Sequence, residues 1–310
     1  MNNAFSVIVV GSLNLDFVVQ VAQLPQRGET LPGSNFLTLP GGKGANQACT
    51  VGRLSQPNTA AMIGCVGMDV YGAQLQESLR AAGVNHRYVR GTVEAATGIA
   101  LILVEVSGQN QIVVVPGAND CLRPTDVTEA LSALGGSHLL LQLETPLDTV
   151  TAAAAHARNL GVSIILDPAP ARPLPEALLR NVNILTPNES EALALLGASG
   201  HHIDLAAAPD IARQLLALGP QQVILKLGGQ GAFFCDGNRA QHFPARAVEA
   251  KDTTAAGDCF NGALATALAE GRLIDEAIVF ANVAASISIT RLGAQASLPT
   301  RAEVEKVLEK

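Results

Sequence analysis

The chain has 310 residues, of which 48% are hydrophobic and 15% are charged, and its formal net charge is −7. These values are typical of a folded globular protein and exclude a disordered one. The acidic balance, the lack of a basic block and an aromatic content of 3% argue against a nucleic-acid-binding surface. We therefore expect no nucleic-acid partner.

The cysteines and the apolar runs indicate where the protein works. Five cysteines are scattered, odd in number and never spaced as Cys-x-x-Cys, which favours buried free thiols and a reducing cytoplasm. The first apolar run, Phe5 to Val10, lacks the basic start and the cleavage site of a signal peptide. No uncharged run has the length needed to span a bilayer. We expect a cytoplasmic protein with no membrane partner.

The N-terminal region predicts a central strand at Phe5 to Val10. The residues that follow, Gly11 to Asp16, lack the GxGxxG pattern, so this is not a dinucleotide-binding fingerprint. Further strands are expected at residues 17–21, 35–39 and 60–66, and helices at residues 43–54 and 71–82.

Two apolar strands are expected at Ile99 to Val106 and Gln111 to Val115, joined by a hairpin loop at Ser107 to Asn110. They are apolar on both faces and have no helix between them, so they need a cover. We expect them to join the strands of residues 17–39 in a small separate sheet. Because both segments leave the main sheet and re-enter it, the small sheet would form a lid over its end.

From Leu122 onward, helical and strand patterns alternate, which predicts a parallel sheet covered by helices on both faces. The predicted fold class is therefore α/β, with a Rossmann-like three-layer core around a parallel sheet and a small β-sheet lid. The large domain would comprise residues 1–12, 41–95 and 119–310, and the lid domain residues 13–40 and 96–118.

The stretch from Lys251 to Gly262 carries the strongest sign of chemistry. Ala255, Ala256 and Gly257 lie at the turn into an Ala-rich helix, where small side chains expose backbone N–H groups at the positive end of the helix dipole. Asp258 puts a carboxylate beside this anion site, and phosphoryl-transfer enzymes need that pairing. The alternative is that Asp258 only complements the helix dipole.

A second stretch, Pro40 to Gln47, combines glycines with polar side chains. The glycines allow a ligand to approach the backbone closely, and Lys43 and Asn46 project from one face of a helix. Gly44 in place of Ser or Thr excludes a Walker A loop. An ammonium and an amide suit a hydroxyl-rich ligand, and a flexible hinge is the alternative.

Asn14 and Asp16 follow the first strand and point the same way in extended chain. A carboxylate and an amide at that place can hold two neighbouring hydroxyls. A polar turn capped by Asp16 is the alternative.

Four motifs occur in the order found in the PfkB family of carbohydrate kinases, which the chain resembles from about residue 5 to residue 300. The run Gly-Gly-Lys-Gly-Ala-Asn-Gln together with the turn Ala-Ala-Gly-Asp is highly specific for this family. The pattern Gly-Ser-x-Asn-x-Asp at the first strand is similar to that of members that phosphorylate ribose. The motifs are Asn14-x-Asp16, Gly41 to Gln47, Thr186-Pro187-Asn188-Glu189-x-Glu191 and Asp252-Thr253-x-Ala255-Ala256-Gly257-Asp258.

The resemblance implies ATP-dependent phosphorylation of D-ribose at its 5-hydroxyl. Asp258 would be the base, and Ala255, Ala256 and Gly257 would form the anion hole for the γ-phosphate. Because proton removal can come late in a loose phosphoryl transfer, the main work of Asp258 would be orientation. The residues implied to hold the sugar are Asn14, Asp16, Gly42, Lys43, Gly44, Asn46, Glu144 and Asp258.

For the nucleotide, the resemblance implies a site along the loops after two strands. Asn188 and Glu191 resemble the family's Asn-x-x-Glu motif, in which Glu191 would hold Mg²⁺ through water. The residues alone equally indicate a helix N-cap with a capping box. The residues implied to bind ATP are Asn188, Lys226, Gly228, Gly231, Gly257 and Asn282.

The resemblance also implies a K⁺ ion beside the anion hole, held mostly by backbone carbonyls. Such an ion would stiffen the hole and act as an activator. Carbonyl ligands leave no side-chain signature, so the residues alone do not predict this site. The residues implied are Asp252, Thr254, Ser288, Arg291, Gly293 and Ser297.

The chain departs from the resemblance at Asp167, where members often have Asn.

The apolar outer face of the lid strands predicts a homodimer through the lid. The alternatives on function are a kinase for deoxyribose, fructose or a pyrimidine nucleoside, and a sugar-sensing protein without catalysis.

Overall fold

The structure is a computed structural model that describes residues 5–105 and 109–309. The expected hairpin loop at Ser107 to Asn110, and the last residue of the strand predicted to end at Val106, lie partly or wholly outside the described residues.

Thirteen strands and eleven helices occur within the described residues. The strands are β1 (Val7–Val10), β2 (Asn14–Val21), β3 (Asn35–Gly41), β4 (Ala60–Gly67), β5 (Asn85–Thr92), β6 (Gly98–Glu105), β7 (Asn110–Val115), β8 (His138–Leu141), β9 (Ser163–Leu166), β10 (Ile184–Leu185), β11 (Gln222–Lys226), β12 (Ala232–Cys235) and β13 (Ala240–Phe243). The helices are α1 (Lys43–Leu54), α2 (Val70–Ala81), α3 (Pro124–Leu134), α4 (Leu147–Asn159), α5 (Glu176–Leu179), α6 (Glu189–Leu195), α7 (Ala208–Leu216), α8 (Ala256–Ala269), α9 (Ile274–Ser288), α10 (Ala294–Ser297) and α11 (Arg301–Leu308). None of these helices is both long and apolar enough to cross a membrane.

The large sheet has the order β13-β12-β11-β10-β9-β8-β1-β4-β5. The strands from β11 to β5 are parallel, and β12 and β13 are antiparallel at one edge. All four residues of β1 are fully buried, because helices cover both faces of the sheet. Val7 and Val9 pack in one core with α1 and α8, while Ile8 and Val10 pack in the other with α3 and α4. The predicted α/β class and parallel core are confirmed.

One strand of the large sheet was not predicted. β5 pairs with β4 at the sheet edge, and only Val89 and Thr92 of its eight residues are buried. Its sequence, Asn-His-Arg-Tyr-Val-Arg-Gly-Thr, carries polar residues on both faces, so it shows neither an apolar run nor a clear alternation. An edge strand tolerates such a sequence because one side faces solvent.

The small sheet has the order β3-β2-β6-β7, with β2 and β6 parallel and the other pairs antiparallel. β2 begins at Asn14, earlier than predicted, and Asn14 lies opposite both Gly41 and Gly98. The sheet therefore meets the large one where the chain leaves β1. This arrangement confirms the small sheet expected beside the core, and it places the polar start of β2 next to the start of α1.

Candidate active site

The carboxyl ends of the parallel strands and the first turns of α1, α6 and α8 meet at one edge of the large sheet, where ligands of such sheets bind. A cavity of about 420 Å³ lies there. It collects residues from three of the four predicted motifs, together with Asp167 and the loop that follows β11. Its lining comprises Lys43, Asp167, Ala169, Asn188, Glu189, Ser190, Glu191, His201, Lys226, Gly228, Thr253, Ala255, Ala256, Gly257 and Asp258.

The turn into α8 has the geometry of an anion site. Ala255 adopts the left-handed conformation, with φ 59°, and caps the helix. The N–H of Ala256 donates to the carbonyl of Thr253 over 3.2 Å, and the first bond inside the helix runs from Cys259 N to Ala255 O over 2.8 Å. The N–H groups of Gly257 and Asp258 precede that bond and lie at the positive end of the helix dipole. These two N–H groups can therefore bind an oxyanion, whereas the N–H of Ala256 already donates to Thr253 O.

The Asp258 carboxylate is 6% exposed and held by two amides of α1. Asn46 Nδ2 donates to Oδ2 over 3.0 Å, and Gln47 Nε2 donates to Oδ1 over 3.1 Å. Burial raises the pKa of Asp258 to about 6, while the charge of Lys43 and the two amide hydrogen bonds oppose the rise. The group is therefore mostly ionised at neutral pH yet readily takes up a proton.

Lys43 opens α1 and stands among acidic side chains. Burial works against its charge, but Asp258, Asp167, Glu144 and Glu191 together hold the pKa of Lys43 above its ordinary value. Its ammonium remains protonated and offsets part of the negative charge around the cavity.

Asn14 and Asp16, which were predicted to hold hydroxyls, lie on β2 beside these charged side chains. Asn14 is 3% exposed, and its Oδ1 accepts a 2.8 Å hydrogen bond from Asn119 Nδ2. Burial, with the charges of Glu144 and Asp258, raises the pKa of Asp16 to about 7. A Cβ at Gly41 would lie 2.2 Å from Asp16 Oδ2, so only glycine leaves room for this carboxylate.

Glu144 ties the start of α1 to the end of β1. Its Oε2 accepts from Ser12 Oγ over 2.6 Å and from Lys43 N over 3.1 Å. Gly42, with φ 87°, and Gly44 both face backbone closely, and a Cβ at Gly44 would lie 2.6 Å from Gly11 C. Gly44 therefore allows close packing of α1 on β1, and its side-chain position does not face the cavity.

A buried ion pair lines the cavity. Lys226 Nζ donates to Asp167 Oδ1 over 2.8 Å, and the two side chains are 13% and 2% exposed. Burial opposes the charge of Lys226, but Asp167 and Glu191 raise its pKa above the ordinary value. A Cβ at Gly257 would approach Lys226 Nζ to 3.3 Å, which places this ammonium beside the anion turn.

Asn188 and Glu191 form the capping box of α6. Asn188 Oδ1 accepts from Glu191 N over 2.8 Å, and Asn188 N donates to Glu191 Oε2 over 2.8 Å. Asn188 Nδ2 also donates to Glu191 Oε1 over 2.9 Å. Each carboxylate oxygen thus keeps one lone pair, and the group lines the cavity. Burial raises the pKa of Glu191, and Lys226 opposes the rise.

The polar groups around the cavity determine whether Mg²⁺ can bind there. Within residues 5–105 and 109–309, no three His, Cys, Asp or Glu side chains are grouped to hold a metal ion. The half-engaged carboxylate of Glu191 suits a water-mediated contact, and the remaining ligands would come from water and the phosphates, as Mg²⁺ commonly takes them. The residues present therefore fit an ion held partly by a nucleotide.

The other residues predicted for ATP lie near one another, around the loop from Gly228 to Gly231 and the carbonyl of Phe243. Gly228 lines the cavity. Gly231, with φ 96°, packs against the end of β13, since a Cβ there would lie 2.2 Å from Phe243 O. Asn282 donates from Nδ2 to Phe243 O over 3.2 Å and is not among the cavity-lining residues. His201, which was not predicted to act at the site, also lines the cavity.

The residues predicted for K⁺ come from two loops that hydrogen bonds join. Asp252 accepts from Thr254 N over 2.9 Å and from Gly293 N over 2.8 Å. Asp252 N donates to Ile289 O over 3.2 Å, at the end of α9. The remaining predicted residues, Ser288, Arg291 and Ser297, lie in or beside the second loop, and Arg291 pairs with Glu303. The arrangement fits carbonyl ligands beside the anion turn.

Gln47, Gln142 and Asn119 were not predicted to act at the site. Gln47 appeared only as the last letter of its motif, and its contacts with Gln142 and Asp258 span 95 and 211 residues of sequence. Pairing over such separations leaves no local signal. The one usable sign was the position of Gln47 beside Asn46 at a helix start.

The profile of the pfkB family carbohydrate kinases matches residues 4–301. A ribokinase of Haemophilus influenzae is 40% identical over 302 residues, covering 97% of each chain. A deoxyribokinase of Salmonella typhi is 33% identical over 296 residues, covering 95% of each chain.

Solved structures agree over the same length. The crystal structure of a ribokinase from Thermotoga maritima is 39% identical, with a TM-score of 0.89, and the match covers 99% of this chain and 100% of that one. A ribokinase of Arabidopsis thaliana complexed with ribose and ATP is 33% identical, with a TM-score of 0.88 and 99% coverage of both. Because the family profile and the relatives align with nearly the whole length of the chain, this chain belongs to the pfkB family of carbohydrate kinases.

Proposed function

We propose that this enzyme transfers the γ-phosphoryl group of ATP to the 5-hydroxyl of D-ribose, which gives ribose 5-phosphate and ADP. The observation that carries the proposal is the position of Asp258, a buried carboxylate between the sugar-side residues and the phosphate-side cavity. Relatives that are ribokinases, one of them solved with ribose and ATP, support it.

The sugar would lie between β2 and α1. Asp16 and Glu144 offer carboxylate acceptors, Lys43 offers a donor, and the N–H at Gly42 lies beside them. Asn46 Oδ1 is buried without a partner in the described part of the chain, so it can accept from a sugar hydroxyl. A pentose with several hydroxyls can satisfy these groups together.

Asp258 would orient the 5-hydroxyl toward the γ-phosphorus and accept its proton. The bond from the sugar oxygen to phosphorus forms as the bond from phosphorus to the ADP oxygen breaks, and the proton goes to the carboxylate. The N–H groups at Gly257 and Asp258, with Lys43 and Lys226 nearby, would stabilise charge on the phosphoryl oxygens. A pKa of about 6 suits a group that holds the proton only as transfer proceeds.

The triphosphate would run from the turn at Gly257 past Lys226 toward Asn188 and Gly228. Mg²⁺ would neutralise the phosphates, with Glu191 holding its water shell. We also propose that K⁺ binds carbonyls of the two loops that Asp252 joins, where it would stiffen the anion turn without touching substrate.

We further propose that the lid mediates a homodimer. Phe36, Leu37, Leu101, Ile112 and Val113 on the small sheet are 46–60% exposed. Neighbouring residues of a strand point to opposite faces, so these residues leave apolar surface on both faces of the sheet, and such surface needs a cover. The lid domain would then comprise residues 13–40 and 96–118, and the large domain residues 1–12, 41–95 and 119–310. All five cysteines are free, which suits the reducing cytoplasm as its location.

A kinase for 2-deoxyribose is the second candidate, since a deoxyribokinase also matches nearly the whole chain. An ADP-release assay with ribose, 2-deoxyribose, fructose and uridine, with and without K⁺, separates the two. We expect the highest kcat/KM with ribose. A clear preference for the deoxy sugar would transfer the proposal to the second candidate, and binding of sugar without ADP release would overturn catalysis altogether.

A further inference from the structure

Beneath the site, the buried side chain of Gln47 makes three hydrogen bonds at once. Its Nε2 donates to Asp258 Oδ1 over 3.1 Å and to Asp167 Oδ2 over 3.0 Å. Its Oε1 accepts from Gln142 Nε2 over 2.6 Å. Gln47 and Gln142 are both fully buried. We propose that Gln47 is a positioning residue that fixes the direction of the Asp258 carboxylate and links it to the phosphate-side pair of Asp167 and Lys226.

Only one orientation of the Gln47 amide is chemically possible. Its two N–H groups meet two carboxylates that can only accept, and its oxygen meets an amide N–H that can only donate. A flipped amide would place its oxygen against two negative groups and its nitrogen against the donor of Gln142. Gln142 therefore locks Gln47, and Gln47 locks the carboxylate.

Gln142 is itself fixed by the fold. It follows β8, and a Cβ at Gly11, just after β1, would lie 1.9 Å from Gln142 Oε1. Only glycine at that place leaves room for the amide, so the two adjacent strand ends hold it. The chain of contacts then runs from the sheet through Gln142 and Gln47 to the carboxylate of Asp258.

The same amide joins the two halves of the site. Lys226 Nζ donates to Asp167 Oδ1, and Gln47 Nε2 donates to the other oxygen of that carboxylate. A single NH₂ group thus donates to two carboxylates. One is that of Asp258, proposed to face the sugar, and the other is that of Asp167, which pairs with Lys226 on the phosphate side. Gln47 does not line the cavity, so it acts through Asp258 and touches neither substrate.

A hydrogen bond from Gln47 stabilises the ionised form of Asp258, so its loss should raise the pKa at which activity declines in acid. The other groups that set the pKa of Asp258 are unchanged in Gln47→Met and Gln142→Met. The charged and titratable groups that face this part of the site are Asp16, Lys43, Glu144, Asp167, Glu191 and Lys226.

The test replaces the amide with a side chain of similar length and no donors, Gln47→Met. We expect kcat to fall about ten- to a hundredfold, the scale of a hydrogen bond to a charged group. The KM for ribose should change far less, and the acid limb of kcat/KM should move up by about one pH unit. Gln142→Met should shift the limb in the same direction by less, because Gln47 keeps its bonds to the two carboxylates and loses only the donor that holds its oxygen.

Thr50→Val is the matched control, since Thr50 is fully buried one turn further along α1 and donates only to Asn46 O. It should lower the melting temperature without moving the acid limb. If Gln47→Met fails to fold, Gln142→Met carries the test alone.

The inference rests on the proposed role of Asp258, and the same assays keep the two apart. If Asp258→Asn is inactive while a folded Gln47→Met or Gln142→Met keeps the wild-type acid limb, the inference on Gln47 is wrong and the proposed function stands. If Asp258→Asn retains wild-type kcat, the proposed base is wrong as well.

Discussion

Asn46 and Asp258 are joined by a 3.0 Å hydrogen bond in which Asn46 Nδ2 donates to Asp258 Oδ2. The bond connects the first turns of α1 and α8, which begin 213 residues apart in sequence at Lys43 and Ala256. The remaining amide atom, Asn46 Oδ1, is buried without a partner among the described residues. One side chain can therefore contact the proposed base and a sugar hydroxyl at the same time, which would align the two.

Asp258→Asn tests the proposed base. We expect kcat to fall by about 10²–10⁴-fold, the usual contribution of general acid–base catalysis, while ribose still binds. The new amide would present one acceptor to the two donors of Asn46 and Gln47, so some loss of stability is also expected. ADP release gives kcat, and calorimetric titration with ribose gives the binding constant. Turnover close to that of the wild type would contradict the assignment.

The acid limb of the activity should lie between pH 6 and 7. The pKa values of Asp258 and Asp16 are raised to about 6 and about 7, and both groups are proposed to act as carboxylates. Because they interact, their protons will leave in steps that belong to the pair. The prediction is checked by kcat/KM for ribose from pH 5 to pH 9. A profile that stays flat down to pH 5 would show that neither carboxylate is needed ionised.

Asp16→Asn separates the two groups. It should raise the KM for ribose and move the acid limb down toward the pKa of Asp258 alone. It should also change stability in a pH-dependent way. A carboxyl whose folded pKa is raised from 3.8 to about 7 lowers the free energy of unfolding as pH rises through this range, so removing it should stabilise the protein by about 4 kcal/mol at pH 8 and by nearly nothing at pH 4. Urea unfolding at the two pH values measures this difference.

The central fold was predictable because its signals are local. The uninterrupted apolar run of β1 and the regular alternation after Leu122 indicate a covered parallel sheet, and the helix predicted at residues 43–54 coincides with α1. β5 was missed because an edge strand carries no apolar pattern. The start of β2 was set too late, because the polar residues Asn14 and Asp16 precede the β-branched run by which the strand was located.

The site was only partly predictable. The residues within each motif could be found, because Lys43 and Asn46 lie on one helix face and Asp258 lies at a helix start. The partners that hold them could not. Gln142 and Asn119 reach their partners from distant loops, and a buried amide has no periodic signature. Asp167 was noted in the sequence, but its ion pair with Lys226 depends on two strand ends meeting.

Lys226→Met should affect both stability and nucleotide binding. It leaves the Asp167 carboxylate, 2% exposed, without its cation, and the loss of one partner from a buried pair costs about 3–5 kcal/mol. The KM for ATP should rise, while the binding constant for ribose should change little. Arg180→Met is the control, since the Arg180–Glu176 pair is 70% and 68% exposed and should contribute about 0–1 kcal/mol. Equal losses in the two variants would contradict the proposed weight of the buried pair.

Asp252→Ala should weaken activation by K⁺. Its carboxylate accepts from Thr254 N and Gly293 N, so the variant releases the two loops proposed to present carbonyls to the ion. We expect the K⁺ concentration for half-maximal activation to rise about tenfold, while activity at saturating K⁺ recovers in part.

Asp236→Ala is the matched control for Asp252→Ala. Asp236 accepts from Asn238 N and Arg239 N in a similar turn between β12 and β13. It should leave the dependence on K⁺ unchanged. Activity of the wild type that is indifferent to K⁺, at constant ionic strength, would remove the cation from the proposal.

Val113→Arg should dissociate the proposed dimer. Every described residue of β7 is exposed, and Val113, at 60%, lies on the outer strand of the lid opposite Leu101 of β6. A guanidinium there would have to be desolvated if a second copy covered the sheet, which costs several kcal/mol, whereas it is harmless on a free surface. Light scattering at micromolar concentration should show a dimer for the wild type and a monomer for the variant. Leu273→Arg, which changes a 71% exposed apolar residue at the start of α9, should leave the dimer intact. A monomeric wild type would mean that the apolar face of the lid serves something other than self-association.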